Sequence, residues 1–579
     1  MKKKVHLMWN ALKVFREYGL VSVKRHFINK KFHKYPGMDA IREIHIVPED
    51  VLELQRKHIF TKEVRFSILT PLYNTPENYL IELIESLENQ TYGNWELCLA
   101  DGSDEKHQYV GDICKKYSAE DQRIVYKVLE ENRGISENTN ECIKLASGEY
   151  YGLLDHDDLL HPSALYEAMN AIEKYRAEFI YTDEAKFSGN VEDISDPKAF
   201  NFKPGFGKYD LRSHNYICHF TIFNKELLAG ESQLYRPEFD GSQDHDMVLR
   251  LTEKANSIVH IPKVLYYWRL HEGSVSLDLG SKSYAVDAAI RAVKDQLIRT
   301  KEEGSVKSSI PFQTIYKIEY SFPEDELISV VLHNANSLEE INVSIENTIK
   351  HTKHRPLQFL YMGKEKIQLD NEKEISVKNI FQDDFTSRGK EWNYLIQNAD
   401  GAYIVLMDVK TKPINEDWLD EMLMLSQKDD VCVVGPKIIY RDQTIAYGGG
   451  ALWKDEKDGT KIIGKHDTIA DIGYEALLCH VRNTTFALAA CMMFSKQDWE
   501  AFQGFSEKSS GYEDIEFCLS AIAAKRNNVW TCFANLVYSR ENIGAIASQE
   551  MISTFKNNYK DLMEQEIYYH PNWEKLGLV

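Results

Sequence analysis

Three carboxylates, Asp155, Asp157 and Asp158, directly follow a short apolar run, Tyr150 to Leu154, that has the pattern of a β-strand. Alternate side chains of an extended segment point the same way, so Asp155 and Asp157 are expected to converge on one point. Bare carboxylates at a strand end are costly unless a positive charge neutralises them. Mg²⁺ or Mn²⁺ is the ion expected here, since hard cations prefer oxygen ligands and often bind carboxylates and phosphates at the same time. The residues therefore predict an enzyme that handles a nucleotide diphosphate through a metal.

The segments that lead to this cluster alternate between strand and helix patterns. The predicted strands begin at Phe66, Trp95, Ile124 and Tyr150, and the predicted helices begin at Glu77, Gln108 and Ile135. Such alternation predicts an α/β domain whose largely parallel sheet has helices on both faces. Ligands bind these sheets at the carboxyl ends of the strands. Because Asp101 ends the second strand, we expect it to share one crevice with the acidic cluster.

The same pattern returns in the second half of the chain. The run Ala402-Tyr-Ile-Val-Leu-Met-Asp mirrors Glu149-Tyr-Tyr-Gly-Leu-Leu-Asp, and each run follows a glycine. A self-similarity with a period of roughly 255 residues predicts two copies of one Rossmann-like domain. The predicted organisation is a basic helical arm and connector (1–64), a first domain (65–300), a polar linker (301–325) and a second domain (326–579).

Composition narrows the class of protein. The chain has 579 residues, which predicts two or three domains, and a formal net charge of −20, which argues against nucleic-acid binding. Nine cysteines occur without a CxxC pair, which predicts reduced thiols in the cytoplasm. No apolar run reaches the roughly 20 residues that a membrane span requires. These features predict a soluble cytoplasmic protein.

The first 35 residues have the opposite charge from the rest of the chain. They hold ten Lys or Arg and a single acid, Glu17. A hydrophobic stripe at helical spacing, interrupted by Arg16, is formed by Val5, Met8, Trp9, Leu12 and Phe15. Residues 1–35 are interpreted either as a helix that makes peripheral contact with anionic lipid at the inner face of the cell membrane, or as a helix packed on its own protein or on a second subunit of a homodimer. The sequence leaves both readings open.

The first domain carries a series of short motifs in a fixed order. They are Thr70-Pro-Leu-Tyr-Asn, Ala100-Asp-Gly-Ser-Asp, Glu131-Asn-Arg-Gly-Ile-Ser, Leu154-Asp-His-Asp-Asp, Tyr181-Thr-Asp-Glu, Phe202-Lys-Pro, Asn215-Tyr-Ile, Gln243-Asp-His-Asp and Tyr266-Tyr-Trp-Arg-Leu-His. Over about residues 65–280 this series resembles family 2 glycosyltransferases with the GT-A fold. The tandem arrangement is similar to that of bacterial enzymes that build O-antigens, rhamnans and other cell-surface polysaccharides.

The resemblance implies a role for individual residues. It implies a metal shell for Mg²⁺ or Mn²⁺ formed by Asp155, Asp157 and His271. It implies contacts to the nucleotide-sugar from Tyr73, Asp101, Arg133 and Asp155. Asp244 takes the position of the general base, which accepts the proton of the acceptor hydroxyl as that hydroxyl attacks the anomeric carbon. The acceptor side is assigned to Asp183, Asn215, His219 and Asp246, and Asp246 is also the second candidate for the base.

Structural explanations exist for the same residues. Asp101 before Gly102 has the pattern of an Asx turn, and Asp158 has the pattern of a helix N-cap. Tyr73 is equally typical of a core tyrosine, and Arg133 of a surface ion pair. For His271 a loop histidine that bonds phosphate or backbone is the alternative.

The second copy has lost part of the pattern. Where the first copy has Asp157, the second has Lys410, whose positive charge would repel a metal ion. The strand that starts at Gln358 ends without a carboxylate equivalent to Asp101, and Val537-Tyr-Ser-Arg stands where the family usually has Tyr-His. The second domain is therefore predicted to be degenerate, although Lys410 as a counter-charge for phosphate remains an alternative.

The resulting hypothesis is an inverting, metal-dependent glycosyltransferase. Its donor would be a UDP- or dTDP-sugar, with L-rhamnose suggested by the subfamily resemblance alone, and its acceptor a lipid-linked glycan of cell-surface polysaccharide synthesis. Two alternatives stay open: a bifunctional transferase with two active domains, and a non-catalytic pseudo-transferase that acts as a scaffold.

Overall fold

The computed structural model contains two β-sheet domains that follow one another along the chain. It describes residues 41–271, 283–309, 313–368, 374–382, 385–508, 510–540, 542–544 and 547–576. The predicted basic helix over residues 1–35 lies outside the described residues. The predicted fold class, two α/β domains in tandem, is confirmed.

The first sheet has nine strands, and its first half is parallel. Its strands are β1 (Phe66–Leu72), β2 (Trp95–Asp101), β3 (Ile124–Val128), β4 (Tyr150–Leu153), β5 (Leu159–Leu160), β6 (Phe179–Phe187), β7 (Ala199–Asn201), β8 (Thr221–Asn224) and β9 (Ile258–Arg269). The strand order is β3-β2-β1-β4-β8-β6-β9-β5, and β7 pairs with β6. Because β3, β2, β1 and β4 run in the same direction, their carboxyl ends meet at one edge, where the sequence places the ligand.

Helices pack around this sheet. They are α1 (Glu49–Lys57), α2 (Glu77–Glu88), α3 (Tyr109–Glu120), α4 (Ile135–Ile143), α5 (Ala164–Tyr175), α6 (Lys208–Ser213), α7 (Gln243–Lys254) and α8 (Ser283–Arg299). In α2 the buried residues are Leu80, Leu83, Ile84 and Leu87, the spacing of a single helix face. Strands β1 and β2 are buried along their whole length, which explains their nearly unbroken apolar sequence.

The second sheet has ten strands and repeats the order of the first. Its strands are β12 (Ile328–His333), β13 (Leu357–Met362), β14 (Ile375–Ile380), β15 (Tyr403–Asp408), β16 (Thr411–Pro413), β17 (Val431–Tyr440), β18 (Ile445–Tyr447), β21 (Arg482–Thr484), β22 (Cys491–Ser495) and β23 (Asn527–Tyr538), and a separate pair is formed by β19 (Gly450–Leu452) and β20 (Thr460–Ile462). The order β14-β13-β12-β15-β22-β17-β23-β16 matches the first sheet position by position. Its helices are α9 (Leu338–Lys350), α10 (Arg388–Gln397), α11 (Trp418–Ser426), α12 (Lys496–Ala501), α13 (Glu513–Ala523), α14 (Gln549–Asn558), α15 (Lys560–Glu564) and α16 (Pro571–Leu576).

The duplication extends to single hydrogen bonds. The hydroxyl of Ser67 accepts from the backbone N–H of Gly148 at 2.9 Å, and that of Ser329 accepts from Gly401 at 2.9 Å. A Cβ atom on Gly148 would lie 2.4 Å from the carbonyl oxygen of Arg65, and one on Gly401 would lie 2.5 Å from that of Leu327, so each position requires glycine. The strand registers pair Phe66 with Tyr150 and Ile328 with Tyr403. Asp155 therefore corresponds to Asp408, and Asp157 to Lys410.

The segment between the two sheets, predicted as a polar linker, contains an antiparallel hairpin. Its strands are β10 (Gly304–Ser308) and β11 (Tyr316–Tyr320). Tyr316, Ile318 and Tyr320 are buried, so this segment packs against the domains. Among the helices of the described part of the chain, none combines the length and the apolar character that a membrane crossing requires.

The two domains share an interface built from residues that follow β7. The hydroxyl of Tyr474 donates to the carbonyl of Phe200 at 2.7 Å and accepts from the backbone N–H of Phe202 at 2.9 Å. In α6, the backbone N–H of Tyr209 donates to Oδ1 of Asn483 at 3.0 Å. Because these groups are buried, the second domain packs closely against this part of the first domain.

Candidate active site

The acidic cluster lies in the turn between β4 and β5. Asp158 is buried, and its carboxylate accepts from the hydroxyl of Tyr266 at 2.6 Å and from the backbone N–H of Arg269 at 2.7 Å. Asp158 therefore fixes the turn to β9, a different role from the helix N-cap that the sequence allowed. Asp155 and Asp157 remain partly accessible to solvent.

Arg269 holds the backbone of the cluster. Its Nε donates to the carbonyl of Asp157 at 2.7 Å, and its Nη2 pairs with Glu82 at 2.6 Å. The guanidinium stacks over the ring of Tyr79, 4.2 Å from the centroid. A planar fork with several donors can satisfy all these partners at once, which a lysine cannot do. Sequence reasoning quoted the motif of Arg269 without assigning it this function.

The carboxylate of Asp157 contacts the predicted third ligand. Nε2 of His271 lies 2.7 Å from Oδ2 of Asp157, so this histidine contacts the cluster, and its role as a metal ligand stays a prediction. Burial, with the charges of Asp157 and Asp155, raises the pKa of Asp158 well above its ordinary value. This concentration of negative charge beside an imidazole fits a divalent cation, because oxygen and nitrogen ligands converge where positive charge is needed.

His219 connects the cluster to a second group of buried charges. Its Nε2 lies 3.4 Å from Oδ2 of Asp155, and its backbone N–H donates to Glu184 at 2.7 Å. Glu184 is buried and also pairs with Nζ of Lys203 at 3.2 Å. Burial opposes protonation of His219, but Asp155 and Glu184 outweigh it and raise the pKa of His219 to about 9. His219 is therefore a cation at neutral pH, positioned beside the candidate metal ligand Asp155.

Asp244 lies in the first turn of α7 and faces the same group of charges. The hydroxyl of Tyr235 donates to its Oδ1 at 2.6 Å. Burial raises the pKa of Asp244 above the ordinary aspartate value, the charge of His219 lowers it and that of Asp155 raises it. Asp244 is therefore affected by the charges of the same residues that lie at the acidic cluster. Tyr235 lies outside every motif recognised in the sequence, and no pattern there indicated it.

Asp101 ends β2 at the same edge of the sheet. Its Oδ1 accepts from the backbone N–H of Ser103 at 2.9 Å, the predicted Asx turn, and its Oδ2 accepts from the hydroxyl of Tyr126 at 2.8 Å. Tyr73, in the neighbouring loop, is 47% exposed and hence not the core tyrosine that the sequence left open.

A chain of hydrogen bonds runs from this strand end to the acidic cluster. The backbone N–H of Asn74 donates to the hydroxyl of Ser103 at 2.9 Å. The hydroxyl of Thr75 lies 2.6 Å from Nδ1 of His156. The end of β2 and the turn after β4 are therefore linked through the loop after β1, as expected for one crevice.

Arg133 belongs to the loop after β3 at this edge, but its guanidinium pairs with Glu131. The distance between Nε and Oε1 is 2.8 Å, and both side chains are about 60% exposed or more. This is the surface ion pair that the sequence left as the alternative. A contact between Arg133 and the donor stays a prediction.

Two of the predicted acceptor residues are structural. Asp246 is fully buried and paired with Arg236 and with Nε of Arg250 at 3.0 Å, so it has no surface left for an acceptor or for base catalysis. Asp183 is also fully buried, and its two oxygens lie 2.8 Å from Nε2 of His260 and 2.8 Å from Nε2 of His570. Both assignments are therefore corrected: burial between charged partners explains these acids.

Asn215 and His219, by contrast, line a cavity of about 270 Å³ next to the cluster. Oδ1 of Asn215 and Nδ1 of His219 are buried without a hydrogen-bond partner among the described residues. The assignment of Asn215 and His219 to the acceptor side stays a prediction.

The corresponding region of the second domain is closed by internal pairs. The ammonium of Lys410 pairs with Glu340 of α9, and Oδ2 of Asp408 accepts from the side chain of Asn334 at 2.7 Å. By strand register the counterpart of Asp101 is Gly363, which has no side chain. Lys410 thus has a carboxylate partner inside the fold, where the first domain has its acidic cluster.

Comparison with known proteins identifies the first domain. Residues 67–230 match the family model described as glycosyl transferase family 2. An uncharacterized protein of Sinorhizobium fredii, y4gI, is 32% identical over 495 residues, covering 82% of this chain and 52% of that protein. The O-antigen biosynthesis protein RfbC of Myxococcus xanthus is 24% identical over 518 residues, covering 87% of this chain and 39% of that protein. The chain thus spans about half or less of the length of these relatives.

Solved structures of transferases are also similar to the chain. The structure of S. aureus TarS 1-349 in complex with UDP-GlcNAc is 22% identical in sequence. The match covers 40% of this chain and 66% of the TarS chain, with a TM-score of 0.34.

Proposed function

Because the chain belongs to glycosyltransferase family 2, we propose that its first domain transfers a sugar from a nucleotide-sugar to a glycan acceptor at the edge formed by Asp101, Asp155, Asp157 and Asp244. The observation that carries this proposal is the pairing of Asp155 with His219 while Asp157 pairs with His271, next to a separate, half-buried Asp244. Asp155 and Asp157 are thereby suited to bind a metal ion, and Asp244 is suited to accept a proton.

The metal ligands would be Asp157, Asp155 and His271, and the ion would be Mg²⁺ or Mn²⁺. Such an ion acts as a Lewis acid that neutralises charge developing on the diphosphate leaving group. Asp158 and Arg269 would hold the turn that carries these ligands, because their bonds to β9 fix its backbone. Asp101 and Tyr73 would contact the nucleoside, from the ends of β2 and β1.

Asp244 would act as the general base. A hydroxyl is a poor nucleophile until a carboxylate accepts its proton during attack on the anomeric carbon. The raised pKa of Asp244 makes it a stronger base than an ordinary aspartate. Attack on the face opposite the diphosphate inverts the anomeric configuration, and a single base suffices for that displacement.

The donor and acceptor are proposed from the relatives. RfbC of Myxococcus xanthus is described as an O-antigen biosynthesis protein, which supports cell-surface polysaccharide as the product. A UDP- or dTDP-sugar, with L-rhamnose as the first sugar to test, would be the donor, and a lipid-linked glycan the acceptor. Residues 1–35, rich in Lys and Arg, would then hold the enzyme at the inner face of the membrane.

The second domain is proposed to be non-catalytic. The ion pair between Lys410 and Glu340 occupies the position equivalent to the metal ligands. The charge of Lys410 is therefore already paired and is not available to bind a diphosphate, and it would repel a metal cation.

The test is release of nucleoside diphosphate from a panel of UDP- and dTDP-sugars, with Mn²⁺ or with EDTA. The wild type is compared with Asp157→Ala and with Lys410→Ala, the equivalent position of the second domain. Metal-dependent release from one donor, lost in Asp157→Ala and kept in Lys410→Ala, is the expected result. Release that survives in Asp157→Ala would refute the assigned metal site, and no release with any donor and any lipid-linked acceptor would favour the scaffold alternative.

A further inference from the structure

The cavity of about 270 Å³ beside the acidic cluster has walls from both domains. The first domain contributes Asn215, His219 and Trp268, and the second contributes Glu475, Leu477 and Trp573. The volume is close to the lower end of the roughly 300–1,000 Å³ that small-ligand sites occupy. We propose that this cavity binds a sugar unit of the acceptor and that Glu475, from the second domain, hydrogen-bonds its hydroxyl groups. The inference rests on the proposed function, which supplies the reaction but no role for Glu475.

The cavity is continuous with the proposed site of transfer. His219 lines the cavity and also lies 3.4 Å from Asp155. A sugar bound here would therefore lie beside the candidate metal ligand Asp155.

The chemistry of the lining fits a sugar. Trp268 is half-buried, so part of its indole face remains open for the C–H groups of a pyranose ring, while Lys186 lies 4.5 Å from its centroid. Oδ1 of Asn215 and Nδ1 of His219 are buried without hydrogen-bond partners among the described residues. Unsatisfied buried polar atoms are costly, and a ligand with several hydroxyl groups would satisfy them.

Glu475 is held in the cavity by an unusual backbone. Glu475 and Ala476 have φ angles of 44° and 64°, two consecutive non-glycine residues in the left-handed region. Contacts on both sides fix this turn. Before it, the hydroxyl of Tyr474 is hydrogen-bonded to the backbone of Phe200 and Phe202. After it, Nε2 of His480 lies 2.7 Å from Oδ1 of Asp210. Strain of this kind persists only where neighbouring contacts enforce it, and it is typical of binding sites. The backbone of Glu475 is thus held in place where its exposed side chain lines the cavity.

The proposal gives the degenerate domain a function. A domain that has lost its own metal ligands still completes the acceptor side of its neighbour, and a carboxylate that accepts two hydroxyl hydrogen bonds discriminates strongly among sugars. Specificity for the acceptor would then depend on residues of both domains.

The experiment uses saturation-transfer NMR on the full chain with methyl α- and β-glycosides of hexoses and deoxyhexoses. Wild type is compared with Glu475→Ala and Glu475→Gln, and with Glu564→Ala as the matched control. Glu564 is exposed in α15 and does not line the cavity. At least one glycoside is expected to bind the wild type and the control, with about tenfold weaker binding to Glu475→Ala, and an intermediate loss in Glu475→Gln, which keeps part of the hydrogen-bonding capacity.

Unchanged affinity in Glu475→Ala, or no binding of any glycoside to the wild type at millimolar concentration, would overturn the inference. Circular dichroism and the thermal unfolding midpoint of each variant serve as the folding control. If no donor is cleaved but glycoside binding depends on Glu475, the proposed reaction fails and the sugar site stands. If the donor is cleaved in the presence of metal but glycoside affinity is the same in the Glu475 variants as in the wild type, only the present inference fails.

Discussion

The hydroxyl of Tyr235 donates a 2.6 Å hydrogen bond to Oδ1 of Asp244, and thereby stabilises the ionised form of the proposed base. Burial raises the pKa of Asp244, and this bond lowers it. Tyr235→Phe is expected to raise the pKa further, so the acidic limb of the kcat/KM profile moves to higher pH by about one unit. Tyr150→Phe, which removes a buried hydroxyl bonded to Ala177 outside the site, is the control. An acidic limb that stays in place in Tyr235→Phe would show that Asp244 is not the base.

The two copies offer a matched pair of base substitutions, because Asp244 is the second residue of α7 and Asp514 is the second residue of α13. Asp244→Asn is expected to lower kcat at least a hundredfold, since general-base catalysis contributes about 10²–10⁴-fold. Asp514→Asn is expected to leave product length and linkage unchanged, because Asp514 accepts the backbone N–H groups of Ala489 at 2.7 Å and Ile515 at 3.0 Å and so acts in the fold. Mass spectrometry of the product tests both. A lost linkage in Asp514→Asn would favour the bifunctional alternative.

Much of the fold could be predicted because local patterns and a repeat agreed. The apolar strands that begin at Phe66, Trp95 and Tyr150 and the turn glycines Gly148 and Gly401 are properties of a few adjacent residues, and the structure contains these elements within a few residues of the predicted bounds. Local patterns of this kind determine a doubly covered sheet and therefore the edge where ligands bind.

The partners of the site residues could not be predicted, because they come from distant parts of the chain. Asp246 and Asp183 look like catalytic acids in their motifs, but Arg250 and His570 contact them only after folding. The contribution of Glu475 was equally hidden, since it depends on how the second domain packs on the first. Sequence motifs indicate which side chains can do chemistry, whereas burial decides which of them are free to do it.

Arg269 is expected to position the metal ligands without touching the substrate. In Arg269→Lys the bonds to the carbonyl of Asp157 and to Glu82 cannot both be kept, so the turn that carries Asp157 and Asp155 should loosen. Loss of such a supporting partner typically weakens metal affinity about 10–100-fold. We expect roughly tenfold weaker Mn²⁺ activation of donor cleavage, with saturating Mn²⁺ restoring much of the rate. Arg250→Lys, in the buried pair with Asp246, is the control, and equal Mn²⁺ dependence in both variants would contradict the assigned role.

His570 joins the C-terminal segment to the first domain through Asp183. Its Nε2 lies 2.8 Å from Oδ2 of Asp183, both groups are buried, and His260 holds the other oxygen. Because a hydrogen bond to a buried charge contributes about 1.5–3 kcal/mol, His570→Ala is expected to lower the free energy of unfolding by about 2 kcal/mol. Urea denaturation measures this loss, with His107→Ala, which removes an exposed partner of Asp104, expected to leave the midpoint unchanged. Since the interface lies beside the cavity, His570→Ala should also weaken acceptor use, whereas metal-dependent donor cleavage should persist. Equal stability of His570→Ala and the wild type would mean that the domains are held together without this buried pair.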